Sequence, residues 1–251
     1  QPLDLSKIPN AANLVDWKKN PAWDQGNQYS LPYTMGQVGI AYFPDKVGKA
    51  ITSISDLLDP ALKNRVSILD ALGDTVASFM VDLGFDPTNL NLDEAKQAIA
   101  VIKKARDAGQ FRKIVGNSYT EDLTTGEVWA ALAWSGDIAS LKQDVPSIEF
   151  VLPAKGAASF TDNLLIPVGA KNKAGAEELI NFLYDPKNSG PLFEAISYVS
   201  PVKGAIDYMG PAGKDSIFVN PPVGAKFYEF GAVDDAAFEE LSALFVEATQ
   251  L

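Results

Sequence analysis

A chain of 251 residues with no histidine and no cysteine is excluded from Ser-His-Asp and Cys-His catalysis, the usual zinc sites, disulfides and thiol redox chemistry. Its formal net charge of -11 argues against a nucleic-acid partner, because phosphate backbones need clustered Lys and Arg; it favours cationic partners and also serves solubility. No apolar run nears the roughly 20 residues of a membrane-spanning helix, and Gln1-Pro-Leu-Asp4 reads as mature sequence in which a signal peptide is absent.

Short apolar runs alternate with amphipathic stretches, the pattern of an α/β protein. Along the chain, strands are predicted at Tyr29 to Pro32, Val38 to Tyr42 and Val66 to Leu69, each short and rich in branched or aromatic residues. A helix follows from Asn91-Leu-Asp-Glu94, which resembles a capping box, with Ala95, Ile99, Ile102 and Ala105 on one face, Lys96, Lys103 and Arg106 opposite, and Gly109 as its stop. Further strands are expected at Val128 to Trp134, Ile148 to Leu152 and Leu164 to Val168. A second helix runs from about Ala174 to the Asp185-Pro186 stop. Tyr208 to Gly224, with Pro211, Pro221 and Pro222, reads as an irregular connection. A last helix near Ala236 to Ala248 aligns Phe238, Leu241 and Phe245. Periodicity alone does not separate a two-lobed binding protein from a single-domain enzyme.

The run Tyr29-Ser-Leu-Pro-Tyr-Thr-Met-Gly-Gln-Val-Gly-Ile-Ala-Tyr42 resembles the segment by which bacterial spermidine/putrescine-binding proteins leave one lobe through a hinge strand and enter the other. Ser53-Ile-Ser-Asp-Leu57, Arg65-Val-Ser-Ile-Leu-Asp70, Ala133-Trp-Ser-Gly-Asp137, Thr161-Asp-Asn-Leu-Leu-Ile-Pro167 and Ser197-Tyr-Val-Ser-Pro201 follow in family order. The resemblance implies a periplasmic-binding-protein type II-like α/β fold with two lobes joined by crossover strands. Residues 1–41 and 157–223 would form lobe 1, and 42–156 with 224–251 would form lobe 2. Family members carry an opening portion of lobe 1 before the place of Gln1, so lobe 1 is expected to be incomplete. The resemblance further implies an extracytoplasmic, periplasmic solute-binding component of an ABC importer that holds a polyamine between its lobes, closes on it about the Tyr33 to Tyr42 crossover and presents it to a membrane permease, with no cofactor, no metal and no catalytic residue.

A small diammonium solute must have its hydration replaced by carboxylates and acceptors, and aromatic faces gain about 0.5–2 kcal/mol over a cation while covering its methylenes. Position by position, the family's ligand residues fall on Asp74, Trp134, Asp137, Phe160, Asp162 and Tyr198, and the Trp-x-x-Asp with Phe-x-Asp pattern is closer to putrescine-type than to spermidine-type members. Plainer roles stand beside these. Asp74, after Gly73, and Asp137, after Ser135-Gly136, are candidates for helix N-caps. Trp134 ends an apolar strand where core packing is the default, and Tyr198 fits a core tyrosine. Asp162, flanked by Phe160 and the Leu164 to Ile166 run, reads as a charge awkward to bury without a ligand. Spermidine-type ligand positions are lost at Ala71 and Gly231, and a serine used by some members is displaced to the region of Gly116 to Ser118.

Two other readings remain open at this point. The same fold can take an amino-acid-like or opine solute, although Arg65, Arg106 and Arg112 are not among the matched positions. A carboxylate-dependent hydrolase using Asp74, Asp137 and Asp162 is chemically conceivable, but the sequence has no P-loop, dinucleotide fingerprint or Gly-x-Ser-x-Gly elbow.

Overall fold

The structure, a computed structural model, describes residues 1–250. In chain order its strands and helices are β1 (Ser30–Tyr42), α1 (Pro44–Val47), β2 (Val66–Leu69), α2 (Leu72–Leu83), α3 (Leu92–Asp107), β3 (Phe111–Val115), α4 (Tyr119–Thr125), β4 (Ala130–Trp134) and α5 (Ser135–Asp144). They continue with β5 (Glu149–Val151), β6 (Ala157–Leu165), α6 (Lys173–Leu183), α7 (Pro186–Ile196), α8 (Pro211–Asp215), β7 (Phe227–Tyr228) and α9 (Asp235–Thr249). The chain divides into two compact units, one of residues 1–36 and 161–222 and one of 37–160 and 223–250. The strands β1 and β6 each continue across this division.

The second unit holds a mixed sheet in the order β3-β2-β4-β1-β6-β7, with β5 also against β1. The β2 strand runs parallel to β3 and β4, whereas β1 runs antiparallel to β4 and β5. Val38, Ile40, Val66, Ile68 and Leu132 are buried completely. A strand enclosed on both faces reads as a mainly apolar run, which is why Val66 to Leu69, with Ser67 as its one polar residue, is legible as a strand. Helix α3 begins at Asn91, whose side chain accepts from the Asp93 and Glu94 amides. The cap is one-sided, without the return bond of a capping box. Ala95, Ala98, Ile99 and Ile102 line its buried face, and Gly109 follows it in the left-handed conformation at φ +71°.

The polar side of α3 receives α9. Lys96 pairs with Glu240 at 2.7 Å, Lys103 pairs with Glu247, and the Arg106 guanidinium donates to the Gln250 carbonyl at 2.8 Å near the end of α9. A cation there meets the carbonyls a helix leaves unpaired and the negative end of its dipole. The buried stripe of α9 is Ala237, Leu241, Phe245 and Ala248. Phe238 is 53% exposed, so it lies off the face on which the sequence aligned it; the stripe begins one residue earlier.

The first unit packs around Leu3, Ile8, Leu14, Leu31, Ile166, Ile180, Tyr184 and Val202. The Tyr184 hydroxyl donates to the Pro32 carbonyl on β1, and its burial pushes the phenol pKa above the ordinary range. A second apolar group joins Phe193, Met209 and Val219 to Tyr33, Ile196 and Tyr198. Asp185-Pro186 does close α6, and it also opens α7: Asp185 accepts from the Lys187 amide and Pro186 takes the first helical position.

Three strand expectations change. Tyr29 to Pro32 and Val38 to Tyr42 fall at the two ends of the single strand β1 (Ser30–Tyr42), because Pro32 and Gly36 do not interrupt it. The strand expected at Leu164 to Val168 lies earlier, as β6, and ends at Leu165; Val168 is 88% exposed. β3 and the two-residue β7 carry too little alternation to be read in advance.

Two glycines are fixed by contact. A Cβ on Gly39 in β1 would stand 2.4 Å from Phe150 Cζ and 2.7 Å from the Val151 carbonyl oxygen, so only glycine lets β5 lie against β1 at this point. At Gly231, where the resemblance assigns a glutamine in spermidine-type members, a Cβ would stand 2.4 Å from the Thr88 carbonyl oxygen, and the Gly231 amide donates to the Pro87 carbonyl at 2.8 Å. Overpacking of this kind costs about 1–3 kcal/mol. Gly39→Ala and Gly231→Ala are each expected to lower the unfolding free energy by that amount, read as a lower urea midpoint at unchanged m-value, and an unaltered midpoint in either variant contradicts the corresponding close approach.

Candidate functional site

Within the second unit, two helices begin beside the sheet and each carries an aspartate in its first turn. Helix α2 follows β2 after only Asp70 and Ala71, and the Thr75 hydroxyl reaches back to the Leu69 carbonyl at 2.8 Å, fixing the helix start against the strand end. Asp74 is the third helical residue. Ala71 holds the cap position and Asp74 makes no N-cap bond. Its carboxylate instead accepts from the Trp134 indole Nε1 at 2.7 Å. Helix α5 starts directly at the end of β4, with Trp134 as its cap residue and Asp137 again third. The Ser135 hydroxyl, completely buried, accepts from the Gln37 amide of β1.

Asp137 is not an N-cap either. Its Oδ2 accepts from the Tyr119 hydroxyl at 2.7 Å and the Asn117 amide nitrogen at 2.9 Å. Tyr119 is wholly buried, its ring centroid lies 6.4 Å from that of Trp134, and its oxygen accepts from the Trp134 backbone amide at 3.1 Å. Asp74, Trp134 and Asp137 are thus joined into one network through Tyr119. The partial positive charge of a helix start suits a carboxylate in the first turn, and both aspartates occupy that position. Trp134 is half-buried, its ring shared between packing and solvent and its indole N–H engaged by a carboxylate. Phe160 closes this unit's part of β6 and is also half-buried.

In the first unit Asp162 accepts from the hydroxyl of Thr34, a buried residue of β1. The carboxylate residue itself is exposed, as is Leu165, while Leu164 is half-buried and Ile166 buried. The expectation that Asp162 is a charge enclosed by apolar neighbours is therefore corrected: the apolar run packs inward at Ile166, and Asp162 keeps access to solvent. Tyr198 is half-buried against Phe193, Met209 and Val219. It follows Ser197, which ends α7 in the left-handed conformation at φ +58°, and precedes Val199, which pairs with Met35 of β1 through bonds of 2.9 and 3.2 Å. Asp162 and Tyr198 are in this way each referred to neighbouring residues of β1. Asn117, Tyr119 and Thr34 were not among the residues singled out from the sequence. Thr34 lies inside the Tyr29 to Tyr42 run; a helix-starting tyrosine after Asn-Ser carries no local mark of its hydrogen bonds.

At the positions lost from the ligand set, Ala71 caps α2 and Gly231 is occupied by backbone packing. In the Gly116 to Ser118 stretch it is Asn117, not the serine, that reaches Asp137. Among the described residues no cluster of carboxylates suited to a metal ion is found, and no helix is long and apolar enough to cross a membrane.

Comparison with known proteins agrees with this architecture. The family model described as bacterial extracellular solute-binding protein matches residues 1–218. The chain is 32% identical over 198 residues to spermidine/putrescine-binding periplasmic protein 1 of Haemophilus influenzae, an alignment covering 78% of this chain and 54% of that protein. It is 29% identical over 257 residues to the putrescine-binding periplasmic protein PotF of Escherichia coli, covering 93% and 69%. Among solved structures, a putative spermidine/putrescine ABC transporter from Listeria monocytogenes superposes with a TM-score of 0.85 at 25% identity, covering 99% of this chain and 77% of that one. The chain spans about half the length of the first of these relatives, and its mixed α/β fold is that of periplasmic binding proteins. The chain belongs to the bacterial extracellular solute-binding protein family.

Proposed function

We propose that this chain serves as the extracytoplasmic solute-binding part of an ABC importer and that its solute is a small organic cation, with a putrescine-like diamine favoured. Asp74, Asp137 and Asp162 anchor ammonium groups, Trp134, Phe160 and Tyr198 cover methylenes, and the solute is delivered to a membrane permease. The observation that carries this reading is that each of the three aspartates accepts from a neutral side-chain donor: an indole N–H at Asp74, a phenol and an amide at Asp137, a threonine hydroxyl at Asp162. Such donors fix a carboxylate without cancelling its charge, and a charge-assisted bond from an incoming ammonium is worth about 1.5–3 kcal/mol. The net charge of -11 adds a long-range attraction for cations.

A zwitterionic solute requires a cationic or amide-lined place for its carboxylate. Arg65 and Arg112 are engaged with Glu127, and Arg106 with the end of α9. This favours the diamine over an amino-acid-like compound.

Calorimetry on the chain with putrescine, cadaverine, spermidine and γ-aminobutyrate tests the proposal. Putrescine and cadaverine are expected to bind most tightly, and Asp162→Asn is expected to weaken them about 10- to 100-fold, the equivalent of one charge-assisted bond. Selective binding of γ-aminobutyrate, or a diamine affinity indifferent to Asp162→Asn, would overturn the solute assignment.

A further inference from the structure

Tyr119 has a role that neither packing nor solute contact describes. Its side chain is 0% exposed, so a bound solute cannot reach its oxygen. That oxygen nonetheless lies between two residues of the candidate site. A phenol has one proton to donate and lone pairs to accept. At the Trp134 backbone N–H, itself a donor, the Tyr119 oxygen must accept; its own proton is then directed to Asp137 Oδ2, at 2.7 Å. The ring completes the arrangement by packing against the Trp134 indole at an interplanar angle of 54°. Helix α4, which Tyr119 opens, is anchored by the fully buried Leu123, by the Lys113–Asp122 ion pair at 2.9 Å and by Gly126 in the left-handed conformation at its end.

We propose that Tyr119 is a positioning residue whose hydroxyl locks Trp134 and Asp137 into one geometry, so that solute affinity depends on an oxygen the solute never touches. The inference rests on the solute reading above for its consequence, but not for its geometry. Without the hydroxyl, Asp137 keeps, among the described residues, the Asn117 side-chain donor, which comes from an exposed side chain, and the Trp134 amide loses its acceptor at the junction of β4 and α5. A carboxylate free to rotate must be ordered again on binding, which lowers affinity.

Tyr119→Phe keeps the ring and removes only the oxygen. In the solute-free chain, hydrogen exchange of the Trp134 amide is expected to speed up about tenfold or more while that of Leu132, inside β4, stays unchanged. With putrescine, Tyr119→Phe is expected to weaken binding about tenfold in the native background and by a clearly smaller factor when combined with Asp137→Ala, because of the two groups the hydroxyl holds only Trp134 then remains. Equal losses in both backgrounds, or none in the native one, would sink the proposal, as would an unaltered Trp134 exchange rate. If the native chain takes no diamine, the solute reading fails by itself, and the exchange measurement still decides whether Tyr119 holds Trp134.

Discussion

A carboxylate that is to meet a cation has to remain charged and has to remain still, and these demands conflict when the nearest stabilising group is itself a cation. Arg112 and Glu127, 2.7 Å apart, illustrate the conflict: the pair is well placed, but its charges cancel and nothing remains to attract a solute. At Asp74, Asp137 and Asp162 the named donors are an indole, a phenol, an amide and a hydroxyl. Each supplies one directional bond and no net charge. In the proposed solute reading the aspartates are thereby oriented in advance, so less of the attraction to an ammonium is lost to ordering the side chains.

The local fold makes these donors available. Asp74 and Asp137 occupy equivalent places, third in helices that begin within two residues of a strand end, so the strand fixes the helix start and the helix start fixes the side chain. A long loop at either junction would leave the aspartate to settle on its own backbone amides as an N-cap. The short junctions place Ala71 and Trp134 at the cap positions instead, and this releases both carboxylates for tertiary partners.

Much of the fold was legible because burial writes itself into residue type. Val66 to Leu69 is enclosed in the sheet and is apolar except for the buried Ser67; α3 separates Ala95, Ile99 and Ile102 from Lys96 and Lys103 because one face meets the core and the other meets α9. The candidate residues were legible only through the resemblance, since no local pattern distinguishes Asp74 or Asp137 from helix caps. What stayed hidden depends on tertiary hydrogen bonds. Tyr119 looks like any core tyrosine, Thr34 like any strand threonine, and the exposure of Asp162 beside an apolar run follows from which side of β6 faces the core. The displaced start of the α9 stripe has the same origin: Phe238 and Ala237 are adjacent, and packing chooses the smaller one for the interior.

The segment Thr34-Met35-Gly36-Gln37-Val38 of β1 draws these observations together. Thr34 holds Asp162, and Met35 pairs with Val199 beside Tyr198, both within the first unit. Gln37 donates to Ser135, and Val38 pairs with Trp134, both within the second. Asp162 and the neighbour of Tyr198 in one unit, and Trp134 in the other, are therefore each tied to their own end of one continuous five-residue stretch, whose midpoint is a glycine. Met35, Gln37 and Val38 are buried on either side of Gly36, which alone of the five has no side chain to restrict φ and ψ. A binding protein needs its ligand-bearing residues firm within each half and needs adjustment confined to few positions. Thr34 and Met35 on one side of Gly36, and Gln37 and Val38 on the other, meet the first requirement within their own units.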